Sequence, residues 1–204
     1  YAEMKAKEIG IDESVIYIDE SGWKISYFVS DLVECDFEKN SSQLMCAMDY
    51  LRMLHNLNIE KYIKEFDDVR EGKKLMKIAS SSKGNLMTEF ADIVSKIEEL
   101  DEYVKQDADR MGIKKVLCHN DTYEPNFLAT KNGQLYLIDW EYAGVNYPAN
   151  DLACILCRGS YTDEQIENYL RAYFGRELTF EEHRHYIAYI ALCGFYWFCW
   201  GLYK

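Results

Sequence analysis

The stretch His119-Asn120-Asp121-Thr122-Tyr123-Glu124-Pro125-Asn126 sets a carboxylate five residues before a carboxamide, and Ile138-Asp139-Trp140-Glu141 follows with a second carboxylate. This set suits phosphoryl transfer. One acidic side chain orients and deprotonates a hydroxyl nucleophile, while an Asn and another Asp hold magnesium against nucleotide phosphates. Such a reaction asks the protein for little covalent chemistry, so positioned polar groups make up most of the catalytic equipment. The competing reading is a polar turn whose His, Asp and Asn side chains cap one another's backbone. The order of strand, H-x-D-x-x-x-x-N, hairpin and strand-end Asp is more than such a turn requires.

Elements that could hold these groups are visible around them. Residues 114–118 read as a short strand feeding the motif, and 127–130 with 134–138 as a hairpin around Lys131-Asn132-Gly133 that delivers Asp139 at its end. Upstream, residues 15–19 and 23–29 read as two strands joined by Glu20-Ser21-Gly22. Leu44, Ala47, Met48, Leu51, Leu54 and His55 follow helical spacing, with Ser41 or Ser42 available as N-cap. Residues 59–78 predict one or two charged amphipathic helices. Residues 86–110 predict another, with Met87, Phe90, Ile93, Val94, Ile97 and Leu100 on one face. Helices are expected over 149–158, 163–174 and 180–202, and no repeat or linker divides the chain.

Composition narrows the class. With 204 residues, 49% of them apolar, the chain fits one globular domain or a domain plus a fragment, and disorder is excluded. A net charge of -12 argues against nucleic acid or an anionic membrane as partner. The acidic surface serves solubility or draws in a cationic small molecule. Seven cysteines without a paired framework, and no visible signal peptide, point to a reducing cytoplasm. Cys154 and Cys157 form a C-x-x-C in apolar surroundings and read as core thiols rather than a metal site. The apolar run 186–203 reaches membrane-span length, but it is aromatic and follows His183-Arg184-His185, so a buried helix is expected. Residues 1–10 read as the tail of a helix with a glycine C-cap, so the chain is expected to begin inside a larger protein. Oligomeric state is open.

Taken together, the motif and its setting resemble the protein-kinase-like small-molecule kinases, the group of aminoglycoside phosphotransferases and choline/ethanolamine kinases. Cys118-His119-Asn120-Asp121 with Ile138-Asp139-Trp140-Glu141-Tyr142-Ala143 is most similar to the choline kinase branch, and within it to the LicA-type bacterial enzymes. Aminoglycoside kinases more often carry Gly where Asn120 stands. The resemblance covers most of the chain. It implies an α+β, protein-kinase-like fold: a mostly helical large lobe with a catalytic β-hairpin over 31–204, and only a remnant of the N-terminal small lobe over 1–30. The implied activity is ATP- and magnesium-dependent phosphoryl transfer to the hydroxyl of choline, giving phosphocholine.

Carried over by position, the resemblance implies Asp121 as catalytic base, Asn126 and Asp139 as magnesium ligands, and Phe28, Val29 and Ile138 as nucleotide-binding residues at the interlobe hinge and below it. His119 is either a general base or, as the family pattern implies, a brace for the loop. Glu141 joins the outer shell of the metal or makes a surface ion pair, and Asp151 supports the loop or attracts a cationic substrate. Trp197 and Trp200 lie three apart and share a helix face. Two indoles suit a quaternary ammonium, at roughly 0.5–2 kcal/mol per contact; the alternative is plain core packing. A Gly-rich loop and a strand Lys, which this fold uses on the phosphates, are not in the sequence and are expected upstream of Tyr1. Ethanolamine or an aminoglycoside as acceptor, or a non-catalytic cation-binding module, are the alternatives.

Overall fold

A short N-terminal hairpin precedes a mostly helical body that carries a second hairpin, in a computed structural model that describes residues 1–59 and 63–204. α1 (Ala2–Glu8) leads to Gly10, whose φ of 78° gives the left-handed turn expected of it. β1 (Val15–Ile18) pairs antiparallel with β2 (Lys24–Ser26), and the Asp19 carboxylate closes the turn by accepting from Ser21 N and Trp23 N at 2.9 and 3.1 Å. The strand expected over 23–29 ends at Ser26. Beyond it the chain departs to form β3 (Leu32–Val33), an unexpected strand that pairs antiparallel with residues 129–130 of the second hairpin.

α2 (Ser41–His55) is capped by Asn40, one residue before the expected serines, because the Asn40 side chain accepts from both Ser42 N and Gln43 N. Its buried face is the one the spacing predicts. α3 (Asp68–Lys83) starts at the cap Asp67; of the helical stretch expected over 59–78, residues 60–62 lie outside the described residues. The helix expected over 86–110 is two, α4 (Leu86–Glu89) and α5 (Ala91–Met111). Phe90 leaves helical geometry between them and packs edge-on against Phe198, 5.2 Å between centroids.

β4 (Val116–Cys118) enters the motif. β5 (Phe127–Thr130) and β6 (Leu135–Leu137) make the expected hairpin, which extends to β3 in the order β3-β5-β6. An unforeseen β7 (Gly144–Asn146) returns antiparallel to β4. Gly144 is required there, since a Cβ would stand 2.6 Å from the Lys64 carbonyl oxygen. α6 (Pro148–Leu156), α7 (Asp163–Phe174) and α8 (Phe180–Tyr203) complete the chain, the last two opened by capping boxes at Thr162/Gln165 and Thr179/Glu182.

α8 packs against α3, α5 and α6. Gly72 of α3 lets the Phe195 ring approach to where a Cβ would be 3.1 Å away. α8 is long and apolar enough to cross a membrane by length and composition, yet Tyr189, Leu192, Cys193, Phe195 and Cys199 are buried in the core shared with α2 and α6. Each fully buried large apolar side chain contributes roughly 1.5–3 kcal/mol relative to exposure. The seven cysteines are free thiols; Cys154 is buried and Cys157 half-buried, and the Cys154 sulfur meets Cys193 of α8 at 3.2 Å.

Candidate active site

The loop between β4 and β5 is organised around one buried carboxylate that does not belong to it. Asp151, in the first turn of α6, accepts from His119 N at 2.9 Å and from Asn120 N at 2.6 Å. It also meets His55 Nε2 at 3.0 Å, and His55 Nδ1 meets the Tyr173 hydroxyl at 2.7 Å. α2, α6 and α7 thus grip the loop through one polar chain. Asn120 takes a left-handed φ of 65° and donates its amide to the Tyr142 carbonyl at 3.0 Å, tying the loop to the turn after β6. Left-handed backbone is tolerated by Asn better than by most side chains, which gives this position its residue type.

His119 has no nitrogen to spare. Its Nε2 lies 2.9 Å from the Ile138 carbonyl, which can only accept, so Nε2 carries the proton. Nδ1 then offers the lone pair that Asp121 N donates to at 3.2 Å. Burial pushes the imidazole below its usual range. A neutral, doubly bonded ring of this kind braces the loop, and the Trp140 indole stacks edge-on against it, 4.6 Å between centroids.

Asp121 is buried, and both of its carboxylate oxygens are addressed. Oδ1 accepts from Arg158 at 2.9 Å and Oδ2 from Asn126 Nδ2 at 3.0 Å. Burial pushes its pKa up, opposed chiefly by the Arg158 guanidinium and the Asn126 bond and reinforced by the charge of Asp139. The Asn126 amide nitrogen also donates to the Asp121 carbonyl at 2.7 Å. Its nitrogen so engaged, Asn126 has its carbonyl oxygen left for a cation.

Asp139 follows β6, near enough for its charge to act on Asp121. It is exposed, with φ and ψ both 67°, a left-handed backbone that Asp adopts more readily than most side chains, and it starts a 3-10 turn at Trp140–Tyr142. One carbonyl oxygen from Asn126 and one exposed carboxylate from Asp139 are hard ligands few enough to leave room for waters and phosphate oxygens, as magnesium prefers. The donor set therefore fits that ion. Glu141, exposed on the same turn, lines a cavity of about 350 Å³ with Phe66, Tyr142 and Tyr196.

The nucleotide-binding residues named from the sequence are not gathered in one place. Phe28 and Val29 line a cavity of about 560 Å³ between the N-terminal segment and the β5–β6 turn, with Phe28 92% exposed. Ile138 is half-buried, and its backbone is committed to Asn126 and His119.

The two indoles of α8 meet edge-on, 5.9 Å between centroids and 66° between planes, within a cluster that includes Tyr142 and Tyr196. Trp197 is already covered by a cation, the Arg158 guanidinium 3.7 Å from its centroid, and Lys204 lies 5.2 Å from that of Trp200. Arg158, His55 and Tyr173 are the functional-site residues that sequence reasoning missed. His55 had shown itself only as a core-facing position of α2, and nothing in the sequence marks Arg158.

The chain's relatives share this architecture. The choline/ethanolamine kinase family model matches residues 27–204. Protein LicA of Haemophilus influenzae is 32% identical over 89 residues, a segment covering 41% of this chain and 33% of that protein, so the match spans about a third of the curated relative. A choline/ethanolamine kinase family protein from Mesorhizobium loti superposes with a TM-score of 0.77 at 25% identity, covering 98% of this chain and 67% of that one. The choline kinase LicA from Streptococcus pneumoniae gives 0.71 at 22%, covering 99% and 71%, and an aminoglycoside-3'-phosphotransferase of type VIII gives 0.55 at 19%, covering 94% and 78%. The last two establish the kinase-like fold. With the family pattern running from the end of the first hairpin through α8, the chain belongs to the choline/ethanolamine kinase family.

Proposed function

We propose that the protein transfers the γ-phosphoryl group of ATP to the hydroxyl of choline, giving phosphocholine. The observation that carries this reading is the Asp121 carboxylate, buried and held at both oxygens on a loop that three helices pin in place. A carboxylate so fixed accepts the proton of an acceptor hydroxyl without paying to reorganise, and the freed alkoxide attacks the phosphorus in line. Asn126 Oδ1 and the Asp139 carboxylate would hold magnesium, which when bound neutralises charge on the phosphates. His119 and Asp151 position the loop, and Phe28 and Val29 border the space for the adenine. Trp200 and Tyr142, in the aromatic cluster beside Asp121, provide faces for a trimethylammonium group.

The test is ATP consumption by the full-length protein with choline, ethanolamine and kanamycin offered in parallel. Choline is expected to be turned over with the highest kcat/KM. Turnover of kanamycin alone would overturn the acceptor assignment, and preference for ethanolamine would move it within the amino alcohols.

A further inference from the structure

Three of the seven free thiols meet where the end of α6 lies against α8. The Cys193 sulfur stands 3.2 Å from that of Cys154 and 3.5 Å from that of Cys157, and no other sulfur–sulfur contact occurs among the described residues. Cys154 and Cys193 are buried, whereas Cys157, the residue that ends α6, is half-buried. The α8 backbone comes close to it at Gly194, where a Cβ would stand 4.0 Å from the Cys157 Cβ. A disulfide bond of about 2.05 Å asks the two sulfurs to close by about 1.5 Å, a distance that side-chain rotation can supply.

We propose that Cys157 and Cys193 form a peroxide-reactive dithiol, a modification site that closes to a reversible disulfide between the end of α6 and α8. Cys157 is the member that a small oxidant can reach, and Cys193 is the resolving thiol beside it. The Cys157 sulfur attacks one oxygen of hydrogen peroxide. The O–O bond breaks, the sulfur becomes a sulfenic acid, and the leaving hydroxide takes the thiol proton as water. The Cys193 sulfur then attacks that of Cys157; the S–O bond breaks, and hydroxide leaves with the Cys193 proton as a second water. Two thiols thus give up two electrons and two protons, and the peroxide is reduced to two waters.

Electrostatics separates Cys157 from the other six. The neighbouring Cys193 thiol and the Arg158 guanidinium pull its pKa below the usual value against the effect of burial, and the thiolate is the reactive form. Burial pushes Cys35 and Cys199 up to about 12 and raises Cys154 and Cys193 as well. The bond would also be felt at the candidate active site. Arg158 follows Cys157 directly, donates to Asp121 Oδ1 at 2.9 Å and stacks on Trp197 of α8, 3.7 Å from its centroid. Drawing Cys157 towards α8 shifts that guanidinium, and a misplacement of about 1 Å near reacting groups costs about 100-fold in rate. This consequence rests on the kinase reading, whereas formation of the disulfide does not.

The experiment treats full-length protein with hydrogen peroxide, blocks the remaining thiols with N-ethylmaleimide and digests with trypsin for mass spectrometry. A peptide spanning 132–158 is expected joined to one spanning 185–204. The pair should be about 2 Da lighter than the separate thiol peptides, and dithiothreitol should part them. The cross-link should persist in Cys154→Ala and vanish in Cys157→Ser. In Cys193→Ala, which lacks the resolving thiol, dimedone should label Cys157 as the trapped sulfenic acid. No cross-link in wild type, or one that survives Cys157→Ser, overturns the proposal. Should Cys193→Ala fail to fold, Cys157→Ser decides, since its position is half-buried. Choline turnover should fall by about 10–100-fold on oxidation and recover with dithiothreitol, and Cys157→Ser should resist that fall. Cross-linked protein of unchanged turnover overturns the link to Arg158. Wild type that consumes no ATP with any acceptor sinks the kinase reading and leaves the cross-link result standing.

Discussion

The loop from His119 to Asn126 and the turn from Asp139 to Tyr142 are joined by one hairpin and built on opposite principles. In the loop, His119, Asn120, Asp121, Thr122 and Asn126 are buried, and each has a polar partner within the protein. In the turn, Asp139 and Glu141 are exposed, and the shape comes from a left-handed residue and a short 3-10 turn. The segment proposed to hold the base is anchored by other helices. The segment proposed to admit a cation and phosphates leaves its carboxylates open to solvent, tied to the loop through Asn120 and the Tyr142 carbonyl. Under that proposal, fixed geometry and open coordination fall to different segments.

The sharpest way to break this contrast is to remove the anchor. Asp151→Ala strips the partner from two backbone N–H groups and from His55 in a fully buried setting. A loss of about 3–5 kcal/mol in urea unfolding is expected, as for leaving several buried hydrogen-bond donors without an acceptor. A loss below about 1 kcal/mol would mean that the loop is held by something else.

A smaller effect is expected at Gly144, where the strand that pairs with β4 slides under the Lys64 carbonyl. Gly144→Ala must push that carbonyl away, at a cost of about 1–3 kcal/mol by the same measurement. An unchanged midpoint would show that the 64–66 segment moves freely.

Two buried histidines extend the comparison. His119 has both nitrogens bonded, while His185 has neither, and burial among Tyr147, Tyr186 and Tyr189 pushes its pKa down to about 4. The unfolded chain, with an ordinary value near 6.5, binds that proton more readily. His185 therefore leaves stability intact above about pH 6.5 and drains it as pH falls towards 4. Wild type minus His185→Leu, measured by thermal unfolding across that window, should show this decline; a flat difference would contradict it.

The smallest stability effect belongs to the open turn. Asp139→Asn should change unfolding free energy by no more than about 0.5 kcal/mol, as for a surface position, while magnesium-dependent turnover collapses. A large destabilisation would mean that the turn is anchored after all.

Much of this was legible because local chemistry and global fold agree. The amphipathic spacing of α2 fixes its buried face, and Lys131-Asn132-Gly133 turns the hairpin that ends at Asp139. Asp121, Asn126 and Asp139 could be read together because their separation spans one loop and one hairpin. β3 and β7 were not legible, being two and three residues long and defined only by partners distant in sequence. The split at Phe90 was hidden because the residue continues the apolar rhythm of α5 while its ring answers to Phe198. Arg158 and His55 escaped for the same reason: each reaches Asp121 or Asp151 across the fold, and no spacing along the chain announces such a pairing.

The central claim is that Asp121 is the base of a phosphoryl transfer to an amino alcohol. It is tested most directly by phosphocholine formation from ATP and choline, comparing full-length wild type with Asp121→Asn at equal folded concentration. A fall in kcat of about 10²–10⁴, with the protein still folded, is the expected result for losing a positioned base. A change of less than tenfold, or wild type that forms no phosphocholine, would contradict the account.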